Sequence, residues 1–273
     1  MMRVDSHHHI WQIARGDYHW MTPDLPIHRD YGLDDLRPLL DGVEATVLVQ
    51  AAATEAETRF LLDAARGSSG LVRGVVGWTD LAAADAPARV AALAGEVLLK
   101  GLRPMLHDLP DAEWILHPSV QPALKAMVAH GLRFDALVRP AHLLSILDLA
   151  ARHPDLPIVI DHGAKPEIGR GQWQPWADGI ARIARETGAM CKLSGLVTEA
   201  APGWEVATLR PYVAHLLECF GPARLMWGSD WPVVELGGGL AAWRAATRSL
   251  LENLPAAARE AVMGGTAALF YGL

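Results

Sequence analysis

Ile158-Val159-Ile160-Asp161-His162 is the stretch on which the fold turns. Three apolar β-branched residues run without a polar break, which is the composition of a parallel strand buried on both faces. An aspartate and a histidine close the run, so polar groups stand at the carboxyl end of an apolar strand. Outward from this stretch the chain alternates. Ala45–Gln50, Val72–Trp78, Val97–Met105 and Leu132–Val138 read as strands before it, and Ala189–Ser194 and Arg224–Asp230 after it. Between them, helices are predicted from the capping sequence Thr54-Glu-Ala-Glu57 to Gly67, then over about 87–93, 119–130, 141–153, 175–187 and 209–220, with helical stretches onward to Tyr271. A first strand, Arg3–Trp11, completes eight strand–helix units. Right-handed crossovers would wrap their helices round the outside of a closed parallel barrel, and 273 residues is near the ~250 such a barrel takes. The reading is an α/β fold, a (β/α)8 TIM barrel, as one domain over residues 1–273; an open doubly wound sheet is the alternative, because alternation does not show closure.

Composition narrows the partners. Hydrophobic residues make up 51% and charged ones 20%, enough apolar material for a core and too much for disorder. A net charge of −7 with no clustered basic patch argues against nucleic acid or an anionic membrane, leaving a small-molecule substrate as the expected partner. Cys191 and Cys219 form neither a Cys-x-x-Cys nor a disulfide framework, which suits a reducing cytoplasm. No apolar run approaches the ~18 residues of a membrane span, and no leader pattern opens the chain. The sequence leaves a homo-oligomer open.

The first strand reads Arg3-Val4-Asp5-Ser6-His7-His8-His9-Ile10-Trp11. With a period of two, His7 and His9 share a face with Asp5 and Trp11, while Val4, Ser6, His8 and Ile10 take the other. His8 is therefore structural. Two imidazoles at i and i+2 can both reach one small centre, either a divalent metal or a developing oxyanion. A purification tag also offers consecutive histidines, but Ile10 and Trp11 follow directly, without a linker.

In a barrel of this kind the chemistry gathers at the carboxyl ends of the strands. Those ends carry His7, His9, Gln50, Trp78, Arg103, Asp135, His162, Ser194 and Asp230. Ionisable groups on one rim of an apolar chain point to a site, since burial without partners is costly. Asp230 suits a general base, with a turn-capping role at Ser229–Pro232 as the alternative. The planar fork of Arg103 suits bidentate contact with a carboxylate or other oxygen acceptor; Lys165 and Lys192 compete for the same work. Trp78, Trp231 and Tyr18 offer apolar platforms, although core packing is the commoner use of tryptophan. Gly237-Gly-Gly239 lacks the lysine and hydroxyl of a phosphate loop and reads as a connection.

Asp5-Ser-His-His-His-Ile-Trp11, Lys100-Gly-Leu-Arg-Pro-Met105, Asp161-His-Gly-Ala-Lys-Pro166, Lys192-Leu-Ser-Gly-Leu196 and Trp227-Gly-Ser-Asp-Trp-Pro232 together resemble the amidohydrolase superfamily. The likeness covers essentially the whole chain, and the branch it is most similar to is that of the sugar-acid lactonases, with the L-fucono- and L-rhamnonolactonases nearer than pyrone-dicarboxylate lactonase. The resemblance implies hydrolysis of an aldonolactone by general-base activation of water. It places His7, His9, His162 and Asp230 on metal or catalytic positions, with Asp230 and His162 catalytic and Arg103, Gln50, Trp78, Lys165 and Trp231 at the substrate. It implies one divalent ion at most, zinc first, and leaves a metal-free site open. The fifth strand, Arg133-Phe-Asp-Ala-Leu137, lacks the histidine many metal-bearing members place there, and Lys100 lies too early in its strand for the carbamylated lysine of others. Decarboxylation of an unsaturated acid, or sugar-acid binding without turnover, are the competing functions.

Overall fold

In the computed structural model, which describes residues 2–273, the strands form one parallel sheet in sequence order. They are β1 (Val4–His8), β2 (Ala45–Val49), β3 (Val72–Gly77), β4 (Leu99–Leu102), β5 (Arg133–Ala136), β6 (Ile158–Ile160), β7 (Met190–Leu193) and β8 (Leu225–Trp227). The helices are α1 (Leu33–Leu36), α2 (Glu55–Arg66), α3 (Ala86–Ala94), α4 (Gln121–Ala129), α5 (Leu143–Arg152), α6 (Trp176–Glu186), α7 (Leu196–Glu199), α8 (Val206–Phe220), α9 (Leu240–Leu250), α10 (Ala256–Glu260) and α11 (Thr266–Tyr271). The barrel expectation holds. Closure comes beyond the ends of the outer strands: Asp230 N donates to the His7 carbonyl at 2.8 Å, and His9 N to the Trp231 carbonyl at 2.7 Å. No described helix is long and apolar enough to cross a membrane.

Helix α6 shows how sequence sets the outer layer. Trp176, Ala177, Ile180, Ile183 and Ala184 recur at helical spacing and are buried against the sheet, while Arg182 and Glu186 on the other side pair in solvent. Each such isoleucine stabilises the layer by about 1.5–3 kcal/mol.

The capping box expected at Thr54–Glu57 is only half formed. Thr54 Oγ1 accepts from Glu57 N at 3.0 Å, but the Glu57 carboxylate turns away to Ala51 N at 3.0 Å and Ala52 N at 2.7 Å. Those two donors lie buried past the end of β2 and need an acceptor more than the helix start does. Burial pushes the Glu57 carboxyl up to about 7, against the pull of those two amides.

Strict alternation along the first strand is also broken. Val4 pairs with Ala45, Asp5 with Thr46 and His8 with Leu48, so three steps on β1 match two on β2. This bulge puts Val4 and His7, of opposite parity, both inside the barrel. Below the bulge the interior is Val4, Val47, Val49, Val76, Val159 and Met226, closed from beneath by Phe270 and Tyr271 of α11. His8 faces the helices, buried, with Nε2 at 2.9 Å from Thr46 Oγ1.

Candidate active site

Above the bulge the interior changes character. His7 sits at its centre with no exposed surface, and Gly228 on the neighbouring strand end makes room, since a Cβ there would lie 2.7 Å from His7 Cβ. Three imidazoles converge on one carboxylate oxygen: Asp230 Oδ1 is 3.8 Å from His7 Nε2, 3.3 Å from His9 Nε2 and 3.9 Å from His162 Nε2. The four residues come from β1, the turn after β6 and the turn after β8. The convergence expected from the strand ends is present, and Asp230 does not cap the turn with its side chain; Ser229 Oγ does, accepting from Trp231 N at 3.0 Å.

His162 reaches the centre through a strained turn. His162, Gly163, Ala164 and Lys165 are all left-handed, with φ of 53°, 56°, 61° and 50°, a conformation that costs about 1–2 kcal/mol for each residue bearing a Cβ. Trp176 Nε1 holds the Gly163 carbonyl at 2.6 Å, Lys165 is ion-paired to Glu199, and His162 Nδ1 meets Ser194 Oγ at 2.9 Å. Gly195 is required beside it, because a Cβ would stand 2.5 Å from His162 Nδ1. Burial lowers the His162 imidazole to about 4, even with Asp230 and Asp161 pulling the other way. Burial by itself would raise the Asp230 carboxyl, but His162 and the contact with His9 bring it below its ordinary value, so it is ionised at neutral pH.

The tautomer of His9 bears on whether this centre suits a cation. Its Nδ1 lies 2.8 Å from the Val49 carbonyl, which can only accept, so Nδ1 carries a proton and Nε2 is the ring nitrogen turned to Asp230 Oδ1. Nε2 and Oδ1 lie 3.3 Å apart. The pair is stable with a proton or a metal ion between them, and nitrogen and carboxylate ligands with a fixed tautomer suit zinc. His7, His9 and Asp230 have ligand atoms within 4.8 Å of one another.

Behind the imidazoles lies a buried charge cluster. Lys192 Nζ is 2.6 Å from Asp135 Oδ2, 3.0 Å from Asp161 Oδ1 and 3.1 Å from His7 Nδ1. Arg103 Nη1 is 3.2 Å from Asp161 Oδ2 and 3.2 Å from His7 Nε2, and Nη2 donates to the Gln50 carbonyl. Tyr271 Oη donates to Asp135 Oδ2 at 2.6 Å, tying α11 to the cluster. Burial would raise Asp161, but Lys192 and His7 hold it far below the usual carboxylate range. Burial raises Asp135 despite Lys192. The His7 imidazole is held neutral by burial and by the ammonium beside it.

Several of the residues expected at the substrate also hold other groups in place. Gln50 Nε2 donates to the Arg103 carbonyl at 2.7 Å, so with its own carbonyl on the guanidinium it fixes Arg103. Trp231 is 2% exposed and packs edge-on to Tyr31, a core residue rather than an open platform. Tyr18 is buried as well. Lys192 is fully buried, with Nζ against Asp135 and His7. Trp78 is half-buried, with its N–H and carbonyl both bonded to Thr58 Oγ1. Lys165 stands at the rim, where its charge adds to burial in lowering the His107 imidazole. Sequence reasoning missed Asp161, Glu57 and Tyr271: the first was overshadowed by His162 next to it, the second by its place in a helix start, the third by a distance of 136 residues from its partner. Trp20, in the connection after the first strand, is 37% exposed above the barrel, and its Nε1 donates to the Ala51 carbonyl at 2.8 Å.

Comparison with known proteins adds a lineage. A profile of the amidohydrolase family matches residues 4–273. The chain is 46% identical over 276 aligned residues to a Burkholderia ambifaria protein named L-fucono-1,5-lactonase, covering 98% of this chain and 95% of that one. It is 34% identical to an L-fucono-1,5-lactonase of Burkholderia multivorans, covering 100% and 96%. Among solved structures it is similar to an amidohydrolase from Burkholderia multivorans with bound zinc, with a TM-score of 0.93 at 34% identity and 100% of both chains covered.

Proposed function

The chain belongs to the amidohydrolase family, and on that premise we propose how it opens its substrate, a lactone of a sugar acid. The observation that carries the reading is the convergence of His7, His9 and His162 on Asp230 Oδ1. Asp230 is the general base. Its ionised carboxylate takes a proton from water as the oxygen attacks the lactone carbonyl, and His162 stands beside it to receive or return that proton when the ring oxygen leaves. Arg103 turns its guanidinium toward the carbonyl oxygen, where negative charge develops in the tetrahedral intermediate. Gln50 and Asp161 hold that guanidinium in place. At the rim Lys165, Trp78 and Trp20 contact the sugar hydroxyls and ring face.

One divalent ion, zinc first, would be held by His7, His9 and Asp230 with His162 beside them, and when bound it would polarise the carbonyl or acidify the attacking water. The substrate proposed is an aldonolactone of the L-fucono or L-rhamnono type. Acid release from a panel of such lactones tests this, run on enzyme treated with chelator and on enzyme resupplied with zinc. L-fucono-1,5-lactone is expected to be hydrolysed fastest; an enzyme inert toward every aldonolactone in both states overturns the reading.

A further inference from the structure

Three consecutive carbonyls at the end of β2 each hold a side chain of the site. The Val49 carbonyl accepts from His9 Nδ1 at 2.8 Å, the Gln50 carbonyl from Arg103 Nη2, and the Ala51 carbonyl from Trp20 Nε1 at 2.8 Å. Trp20 is edge-on to Trp11 with ring centroids 5.6 Å apart, and Trp11 in turn stacks on His9 at 6.4 Å, so this indole stands two rings from the centre. Each carbonyl shares a rigid peptide plane with the next residue's N–H, which points the opposite way. The far ends of the three planes are held differently. Gln50 N bonds the Val76 carbonyl at 2.9 Å, so the sheet fixes the plane that seats His9. Pairing with β3 stops there. Ala51 N and Ala52 N, the far ends of the planes that seat Arg103 and Trp20, go to the Glu57 carboxylate at 3.0 and 2.7 Å. Glu57 has no exposed surface, and burying a carboxylate is costly in a role that a helix start alone does not require.

We propose that Glu57 is a positioning residue: by holding the two amides past the end of β2 it fixes the peptide planes whose carbonyls seat Arg103 and Trp20. One side chain of α2 thereby sets two groups with different tasks, the guanidinium placed against the lactone oxygen and the indole placed over the sugar ring. If Glu57 lets go of Ala51 N, the Gln50 carbonyl is free to tilt and the guanidinium tilts with it; if it lets go of Ala52 N, the Ala51 carbonyl and the indole follow. Displacing a catalytic donor by about 1 Å costs on the order of a hundredfold in rate, even when the cause lies away from the reacting atoms. His9 is outside this arrangement, because its carbonyl belongs to the plane that β3 holds.

The part concerning turnover rests on the function proposed above; the seating of Trp20 does not. Indole N–H exchange in the full chain labelled with 15N-tryptophan, with Trp20 and Trp173 assigned by the loss of their signals in Trp20→Phe and Trp173→Phe, reads that seat without substrate. In the wild type the Trp20 N–H is expected to exchange more slowly than that of Trp173, which is similarly open to solvent at 36%; equal rates overturn the proposal, whatever the variants do. In Glu57→Gln, which leaves one oxygen for two amides, Trp20 is expected to exchange roughly tenfold faster, while Trp176 and Trp243, bonded to the Gly163 and Gly228 carbonyls, keep their rates. A folded Glu57→Gln protein with Trp20 unchanged overturns the proposal, and so does one in which all three quicken alike, since the whole fold has then loosened. Glu57→Asp, which draws the carboxylate back by a methylene, is expected to give the same result and is the variant to read where Glu57→Gln does not fold. On the lactone identified by the screen, kcat/KM is expected to fall roughly tenfold to hundredfold in Glu57→Gln, and its KM effect is expected to combine with that of Trp20→Phe to less than their product. Unchanged turnover, or KM effects that multiply in full, overturns the link to the site. A wrong substrate class would leave the exchange rates as stated and remove only the turnover.

Discussion

Below the bulge in β1 the barrel is filled by Val47, Val76, Val159 and Met226; one layer higher, five of the strands or their carboxyl ends bring in His7, Arg103, Asp135, Asp161 and Lys192. Both layers are buried. The lower one gains its stability from transfer of apolar surface, while the upper one holds two carboxylates, a guanidinium and an ammonium whose desolvation must be offset by one another. Such a cluster is a poor way to stabilise a barrel and a good way to hold side chains in one geometry. The division of labour is therefore function above and stability below, within a single column of side chains.

The widest separation between the layers should come from Asp230→Asn, which keeps size and removes basicity. kcat is expected to fall ~10²–10⁴-fold, or roughly 3–5 kcal/mol of barrier, with the unfolding midpoint in urea little changed. A variant with wild-type kcat on the lactone identified by the screen would remove Asp230 from the mechanism. Met226→Ala should do the opposite, costing ~2–5 kcal/mol of stability in denaturant titrations while kcat at 25 °C stays near wild type. Loss of activity without loss of stability would break the comparison.

Arg103→Met sits between the two. It takes away the donor placed against the developing oxyanion and leaves Asp161 with one cation fewer, so kcat should fall more than KM rises, and stability should drop by about 3–5 kcal/mol, the usual cost of breaking a buried ion pair. Unchanged stability would mean that Lys192 alone satisfies Asp161. Glu57 offers a gentler probe. Its carboxyl is raised by burial to about 7 in the folded chain, above its unfolded value of about 4.5, so its contribution to stability is complete below the unfolded value and is lost as pH rises through the folded one. Glu57→Gln should flatten the decline in melting temperature between about pH 4.5 and pH 7; an identical slope in both proteins would show that Glu57 does not ionise there. Thr54→Ala, which deletes the half of the cap that did form, should cost only ~1 kcal/mol and leave kinetics untouched.

The order of elements was legible because period-two and period-3.6 patterns are local, and His7, His9, His162, Arg103 and Asp230 were legible because polar groups at the ends of apolar strands have few uses other than chemistry. The bulge was not, since one extra residue in β1 is defined only against the register of β2. Glu57 has the spacing of a capping residue, and only the buried amides of Ala51 and Ala52 explain why its carboxylate turns the other way.

Taken alone, then, the chain determined the alternation of strands and helices, the rim on which the ionisable groups stand and the family they resemble, all properties of residues near one another in sequence. Which cation meets which nitrogen of His7, that Gln50 holds Arg103 and Trp231 packs on Tyr31, and that a tyrosine of the last helix reaches Asp135 were decided by the tertiary structure. Those contacts join residues from different strands inside a closed barrel, and their energies depend on burial and on the number of available acceptors, neither of which exists before the barrel closes.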